Sequence, residues 1–105
     1  MEKILGFIGI AKRAGKVSVG TFVCESAIKS GASMLIIIAE DASEKTKKTL
    51  IDACEFYNVP FLEFSDMESL GRITGGGEKV VVSINDEGFA KALNDKINSF
   101  KRKDR

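Results

Sequence analysis

The chain of 105 residues contains no histidine, the side chain that most often serves as a general base near neutral pH. It also lacks a Gly-x-Ser-x-Gly nucleophile elbow and a Walker phosphate-binding pattern. Its one run of glycines, Gly75–Gly77, leads from a predicted helix into a predicted strand, whereas a phosphate-binding loop opens a helix. We therefore expect no enzyme and no small-molecule substrate, and we interpret the glycines as a flexible turn or an adaptable contact loop.

Cysteine is scarce: Cys24 and Cys54 are the only two, and they are far apart in the sequence. Each lies in a stretch with apolar periodicity, which favours two small buried side chains in a reducing cytoplasm. A disulfide or a metal site is the alternative, although two isolated cysteines without histidine do not complete a usual zinc-ligand set. We expect no cofactor and a cytoplasmic location.

Long apolar runs are absent as well. The longest, Met34–Ala39, has the length of a strand, far below the roughly 20 residues that span a membrane. The apolar opening Ile4–Ala11 continues directly into Lys12-Arg13 without a small-residue cleavage pattern. We expect neither a membrane contact nor a signal peptide. The length predicts one domain over residues 1–100, followed by a frayed basic tail over residues 101–105.

Helical and strand patterns alternate along the chain. Helices are predicted from about Ile4 to Gly15, from Gly20 to Ser30, after Ser43, after Ser65 and after Asp86; extended segments are predicted at Lys16–Ser18, Met34–Ala39, Phe61–Phe64 and Val80–Ile84. Strands separated by helices require crossover connections. The sequence therefore predicts the α/β class, a three-layer αβα sandwich with a central mixed sheet of about four strands.

Three local patterns are specific enough to be tested. Leu50, Cys54 and Tyr57 have the spacing of a buried face in the third helix. Glu40 to Ser43 form a predicted turn that caps the start of this helix. Ser65 and Glu68 match a capping box for the fourth helix.

The net charge of +1 argues against a strongly electrostatic partner, but the charges are unevenly distributed. Residues 1–39 contain five cations against Glu2 and Glu25, a balance of +3, so the other 66 residues sum to −2. Lys12, Arg13 and Lys16 lie at a predicted helix end, where they complement the helix dipole. They also precede the helix start at Gly20-Thr21, and a helix N-terminus beside cations suits an RNA backbone.

The order of several motifs resembles the kink-turn RNA-binding family of ribosomal proteins, which contains the proteins L-seven-Ae and L-thirty-e. The matching segments are Gly6–Lys16, Gly20, Ala27–Gly31, Leu35–Ser43, Cys54–Pro60, Leu70–Arg72 and Val80–Ala90. They span nearly the whole chain, and the closing segment is most similar to the bacterial YlxQ-type subgroup of that family.

The resemblance implies an αβα sandwich that grips a kinked RNA without catalysis. The implied contact segments are Gly20–Lys29, Glu40–Glu44 and Gly75–Lys79. At the positions where the family carries an Asn-Glu pair and a Lys, this chain has Phe22, Val23 and Ser26; Gly76, Gly77 and Glu78 replace the family's apolar loop. A good base contact discriminates by about 1–3 kcal/mol, so these changes reduce the expected kink-turn specificity. Phe22 either stacks on an unpaired base, or is partly core, or contacts a protein.

We predict an RNA-binding protein, ribosome-associated and part of a ribonucleoprotein, whose partner is structured RNA such as ribosomal RNA. Ribosomal or translation proteins are further candidate partners. The predicted RNA-binding residues are Lys12, Arg13, Lys16, Gly20, Thr21, Phe22, Lys29, Ser43, Gly76 and Gly77. The alternative is a protein–protein adaptor that keeps the fold and has lost kink-turn specificity, and an enzyme acting on RNA or a nucleotide is a third hypothesis.

Overall fold

Helices and strands alternate in the computed structural model, which describes residues 1–103. The elements are α1 (Glu2–Arg13), β1 (Val17–Val19), α2 (Thr21–Ser30), β2 (Leu35–Ile38), α3 (Glu44–Tyr57), β3 (Phe61–Glu63), α4 (Met67–Thr74), β4 (Val81–Ile84) and α5 (Glu87–Lys103). No helix in this part of the chain is long and apolar enough to cross a membrane.

The four strands form one sheet in the order β1-β4-β2-β3. β4 runs antiparallel to β1 and β2, and β3 runs parallel to β2. The predicted mixed sheet is confirmed. β1, β2 and β3 therefore point the same way. The last residues of these three strands and the first residue of β4 lie together at one end of the sheet, which we call the upper edge. Gly20, Ala39 and Phe64 directly follow the three strands there. At the opposite, lower edge lie Lys16 and Asn85.

Two cores lie on the two faces of the sheet. Helices α1, α4 and α5 cover one face, where Leu5, Leu70 and Leu93 are fully buried; α2 and α3 cover the other, where Cys24 and Cys54 are fully buried. All four residues of β2 are buried, as expected for a strand covered on both faces. Each buried isoleucine there contributes about 1.5–3 kcal/mol. The predicted three-layer αβα sandwich is confirmed.

A chain of polar side chains fixes the short edge strand β1 to its neighbour. The Ser83 hydroxyl donates to Oδ1 of Asn85 at 2.6 Å, and the Asn85 amide donates to the Ser18 hydroxyl at 2.8 Å. The Ser33 hydroxyl lies 2.7 Å from that of Ser83. Asp86, rather than Asn85, caps α5, since its Oδ2 accepts from the backbone N–H of Phe89 at 2.9 Å.

The predicted core position of Tyr57 is wrong. Leu50 and Cys54 are fully buried, but Tyr57 is 42 % exposed. The helix ends immediately afterwards, because Asn58 adopts the left-handed conformation (φ 58°). Val59 is buried instead, and its N–H donates to the carbonyl of Cys54.

The predicted capping box at Ser65 is also wrong. Asp66 caps α4, because its Oδ1 accepts from the backbone N–H of Ser69 at 2.7 Å. Ser65 lies one residue earlier with a φ of 64°, and its buried hydroxyl has no hydrogen-bond partner within residues 1–103.

The basic end of the chain differs from the expected frayed tail. Helix α5 continues through Lys101 and Lys103. The rest of the predicted tail, residues 104–105, lies outside the described residues.

Candidate nucleic-acid interface

The three predicted contact segments meet at the upper edge of the sheet, where the first two begin and the glycine-rich one ends. The N–H of Gly20 donates to the carbonyl of Val81 at 3.3 Å, and the N–H of Ala39 donates to the carbonyl of Val80 at 2.8 Å. Val80, just before β4, and Val81, its first residue, thus link the turn after β2 to the start of α2. These two residues directly follow the glycine loop, which we define as Gly75–Lys79.

The start of α2 is open to a ligand. Gly20 has a φ of 93° and a ψ of 150°, a conformation that only glycine adopts readily. No side chain within residues 1–103 caps the helix, so its first N–H groups and the positive end of its dipole face outwards. Thr21 and Phe22 are exposed, and Phe22 is 85 % exposed. The interpretation of Phe22 as partly core is therefore wrong, whereas base stacking and protein contact stay predictions.

The turn after β2 is held by its own side chains. Ser43 caps α3, since its hydroxyl oxygen accepts from the backbone N–H of Thr46 at 3.2 Å. Asp41, predicted to cap the same helix, instead accepts from the backbone N–H of Met67 at the start of α4, at 2.9 Å. The turn is thereby attached to both helices, and Ser43 stays exposed.

The glycine loop packs against α4. The N–H of Lys79 donates to the carbonyl of Met67, and its ammonium group donates to the carbonyl of Gly77, both at 3.0 Å. Gly71 has no room for a side chain, because a Cβ there would collide with the Gly77 carbonyl. Gly76 and Gly77 are therefore exposed but held in place. Lys79, the last residue of this loop, brings a cation to the upper edge and is not among the RNA-binding residues predicted from the sequence.

The predicted cations are not gathered at the start of α2. The carbonyl of Lys16 accepts from the N–H of Asn85 at the lower edge, four residues or about 13 Å along the strand from Gly20. Lys29 is in the last turn of α2, about 13 Å from Gly20 along the helix. Arg13 lies near α4: a Cβ added at Gly9 would have both the Nη1 atom of Arg13 and the carbonyl oxygen of Ile73 within 4 Å.

The charges of the upper edge are largely paired or acidic. Lys47 contacts Glu63 at 3.0 Å, and this hydrogen bond raises the pKa of Lys47 above its usual value. Arg72 contacts Glu2 at 3.4 Å. By contrast, none of the predicted cations forms an ion pair within the described part of the chain: these are Lys12, Arg13, Lys16 and Lys29. These four side chains are therefore available to contact a polyanion.

Together, the fold and this edge define a small three-layer α/β binding module. The chain belongs to the Ribosomal protein L7Ae/L30e/S12e/Gadd45 family, whose profile matches residues 2–94. The family resemblance predicted from the sequence motifs is confirmed.

Relatives match over most of the chain. It is 37% identical to the RNA-binding protein YlxQ of Bacillus subtilis over 86 residues, covering 82% of this chain and 86% of the relative. It is 37% identical to the protein of the same name from Enterococcus faecium over 97 residues, covering 91% and 92%.

Solved structures agree with the fold. A protein with unknown function from Bacillus halodurans C has a TM-score of 0.87 at 34% identity, covering 91% of this chain and 97% of the other. The Giardia lamblia 15.5kD RNA binding protein has a TM-score of 0.78 at 23% identity, covering 90% and 84%. This second likeness concerns the fold alone.

Proposed function

We propose that the protein binds structured RNA of the kink-turn type at the upper edge of its sheet and catalyses no reaction. The observation that carries the proposal is the juxtaposition of an uncapped helix start at Gly20, the turn after β2 and the glycine loop. Relatives named RNA-binding proteins support RNA as the ligand.

The start of α2 supplies the central contact. Its free N–H groups suit a phosphate or a base oxygen. The exposed ring of Phe22 stacks on an unpaired base, a contact that does not depend on the identity of that base. Phe22 therefore contributes to RNA affinity. Selectivity for particular bases is lower than in family members that carry the Asn-Glu pair at this position.

One arm of the RNA runs along the edge strand β1 towards the free cations. β1 has only one neighbour in the sheet, so its outer side is accessible. An arm leaving Gly20 passes Lys16 after about 13 Å, which corresponds to about four to five base pairs of an A-form RNA helix. Lys12, Arg13 and Lys16 then contact phosphates of that arm, while the residues of the upper edge contact the kinked part of the RNA.

We assign the protein to the cytoplasm, associated with ribosomal RNA in a ribonucleoprotein. Two free, buried cysteines support a reducing compartment. Purification of ribosomal particles followed by detection of the protein tests this assignment; recovery only in the ribosome-free fraction, at low salt as well as at high salt, would contradict it.

The RNA proposal is tested by titrating the full chain with kink-turn RNA, a straight duplex and single-stranded RNA at two salt concentrations. We expect tightest binding to the kink-turn RNA, and affinity that falls steeply with salt because phosphate contacts release counterions. F22A should weaken binding about 5- to 150-fold, the equivalent of about 1–3 kcal/mol of base stacking. F22L is the matched control that keeps the exposed apolar surface without the ring.

A protein–protein adaptor is the second candidate, favoured by the exposed apolar pair of Phe22 and the 49 % exposed Val23. It becomes the leading interpretation if none of the three RNAs binds at micromolar protein.

Equal loss of RNA affinity in F22A and F22L supports ring stacking, whereas full affinity in both excludes Phe22 from the RNA interface.

A further inference from the structure

A second concave surface lies on the face of the sheet that α1, α4 and α5 cover, between the N-terminal half of α1 and the C-terminal half of α5. It is an open groove of about 490 Å³, within the range of about 300–1,000 Å³ typical of ligand sites. Ile4, Phe7 and Phe100 form its apolar floor, and Lys3, Lys96 and Lys103 line it together with one acid, Asp95. We call it the α1–α5 groove.

Two of the three lysines of the groove, Lys3 and Lys96, are not explained by the stability of their helices. Lys3 is in the first turn of α1, where a cation is opposed by the positive end of the helix dipole. Lys96 lies two turns before the end of α5, beyond the reach of the dipole at that end. Its Nζ is held 5.2 Å from the ring centroid of Phe7, so the charge stays over the apolar floor rather than extending into solvent.

The aromatic rings of the floor are already engaged within the protein. The rings of Phe7 and Phe89 lie 5.4 Å apart, and Phe100 packs edge-on against Phe64 at 6.0 Å. With Lys96 over Phe7, little free ring face is left for a stacked nucleotide base. The remaining space suits aliphatic or aromatic side chains that insert between the helices, as in helix-in-groove recognition.

We propose that the α1–α5 groove binds an acidic amphipathic segment of a partner protein. Its apolar side chains fill the space between the two helices, and its carboxylates face Lys3, Lys96 and Lys103. Three lysines against one acid, Asp95, make the groove electropositive. This charge complements an acidic segment, fixes its orientation and speeds its association. The groove shares no lining residue with the proposed RNA interface.

The test uses the full chain labelled with ¹⁵N and a synthetic peptide with Leu and Phe at helical spacing among Glu and Asp. We expect shift changes at Phe7, Lys96 and Phe100, and none at Gly20. The double charge reversal K3E/K96E should weaken this peptide at least about tenfold, since both favourable charges become repulsive. S99L, which fills the groove without changing its charge, should also weaken binding.

The matched control is K45E/K91E, which reverses the same number of charges at two exposed lysines outside the groove, and it should bind the peptide as wild type does. A second peptide, with Lys at every acidic position, should not bind. Equal binding of both peptides, no shift changes at millimolar acidic peptide, or displacement of the peptide by single-stranded oligouridine would each overturn the proposal. RNA affinity at the upper edge is unchanged in K3E/K96E, so failure here is distinguishable from failure of the proposed function.

Discussion

The Oδ1 atom of Asp41 lies 2.9 Å from the backbone nitrogen of Met67 and accepts its hydrogen bond. The turn after β2 is thereby joined to the start of α4, across 26 residues of sequence. Because the N–H of Lys79 donates to the carbonyl of the same Met67, one residue connects two of the three segments of the proposed RNA interface.

The first prediction concerns this connection. D41A leaves the Met67 N–H without its cap and should lower the free energy of unfolding by about 1 kcal/mol, as for other lost helix caps. D41N should lower it much less, because the amide oxygen also accepts. Chemical denaturation measures both, with E40A at the exposed neighbouring position as the control. Equal stability of wild type and D41A would mean that this hydrogen bond is not formed in solution.

The second prediction concerns the close contact between Gly71 in α4 and the glycine loop. G71A places a methyl group against the Gly77 carbonyl and should lower the free energy of unfolding by about 1–3 kcal/mol through overpacking. G6A is the matched control, because nothing lies within 4 Å of its Cβ and Gly6 is also helical. It should raise stability by about 0.5–1 kcal/mol. A tolerated G71A would show that the loop moves away freely.

The third prediction concerns the strained residue before α4. Ser65 combines a φ of 64° with a buried, unpartnered hydroxyl, and each feature costs about 1–3 kcal/mol. S65G removes both and should raise the melting temperature, despite the greater flexibility of glycine in the unfolded chain. S65A removes only the hydroxyl and should gain less than S65G. If S65A is the more stable of the two, the backbone strain is negligible.

The fourth prediction concerns pH. Burial raises the pKa of Cys24 to about 12 and that of Cys54 to about 11, above the value of about 8.5 in unfolded chains. Above that value the unfolded state loses protons first, so the thiols favour unfolding as the pH rises. The stability difference between wild type and C24A/C54A should be constant below pH 8 and shrink from about pH 9 to 12. A difference that stays constant across this range would contradict the raised pKa values.

The fifth prediction separates the cations of the proposed RNA arm from the upper edge. K12Q/R13Q/K16Q should reduce the slope of log affinity against log salt by about 2–3, with nearly unchanged thermal stability. The effect should vanish with a kink-turn RNA whose arms are shorter than about four base pairs, because such an arm ends before Lys16. The control neutralises three cations elsewhere: K48Q, K91Q and K101Q. Loss of affinity that is equal for long and short arms would exclude contact along β1.

The sequence predicts the parts of the fold that depend on local periodicity. The unbroken apolar run of β2 and the alternation of helices and strands are enough to predict a sheet covered by helices on both faces. The positive φ of Gly20 agrees with the predicted start of the second helix. The cap of α4 was missed because Ser65 and Asp66 are both good capping residues. What selects Asp66 is a long-range contact, since the carbonyl of Ser65 is fixed by the N–H of Glu40.

Motif order predicts three contact segments, which contain Gly20, Ser43 and Gly76, and the structure places these segments beside one another. Their role in RNA binding stays a prediction, and the placement of the charges differs from the one expected. Proximity in sequence suggested that Lys16 lies beside Gly20, but the three residues of β1 intervene and carry the two to opposite edges of the sheet. The contacts of Asp41 and Lys79 with Met67 join segments far apart in the chain, which no local pattern encodes.

The two outer strands of the sheet, β1 and β3, have three residues each. An exposed strand edge is a template on which another chain can add a strand, and short edges with charged ends resist this. Lys16 precedes the first of these strands and Glu63 closes the second. The fold thus keeps both outer strands short and flanked by charge, which discourages a second copy of the chain from adding a strand to the sheet.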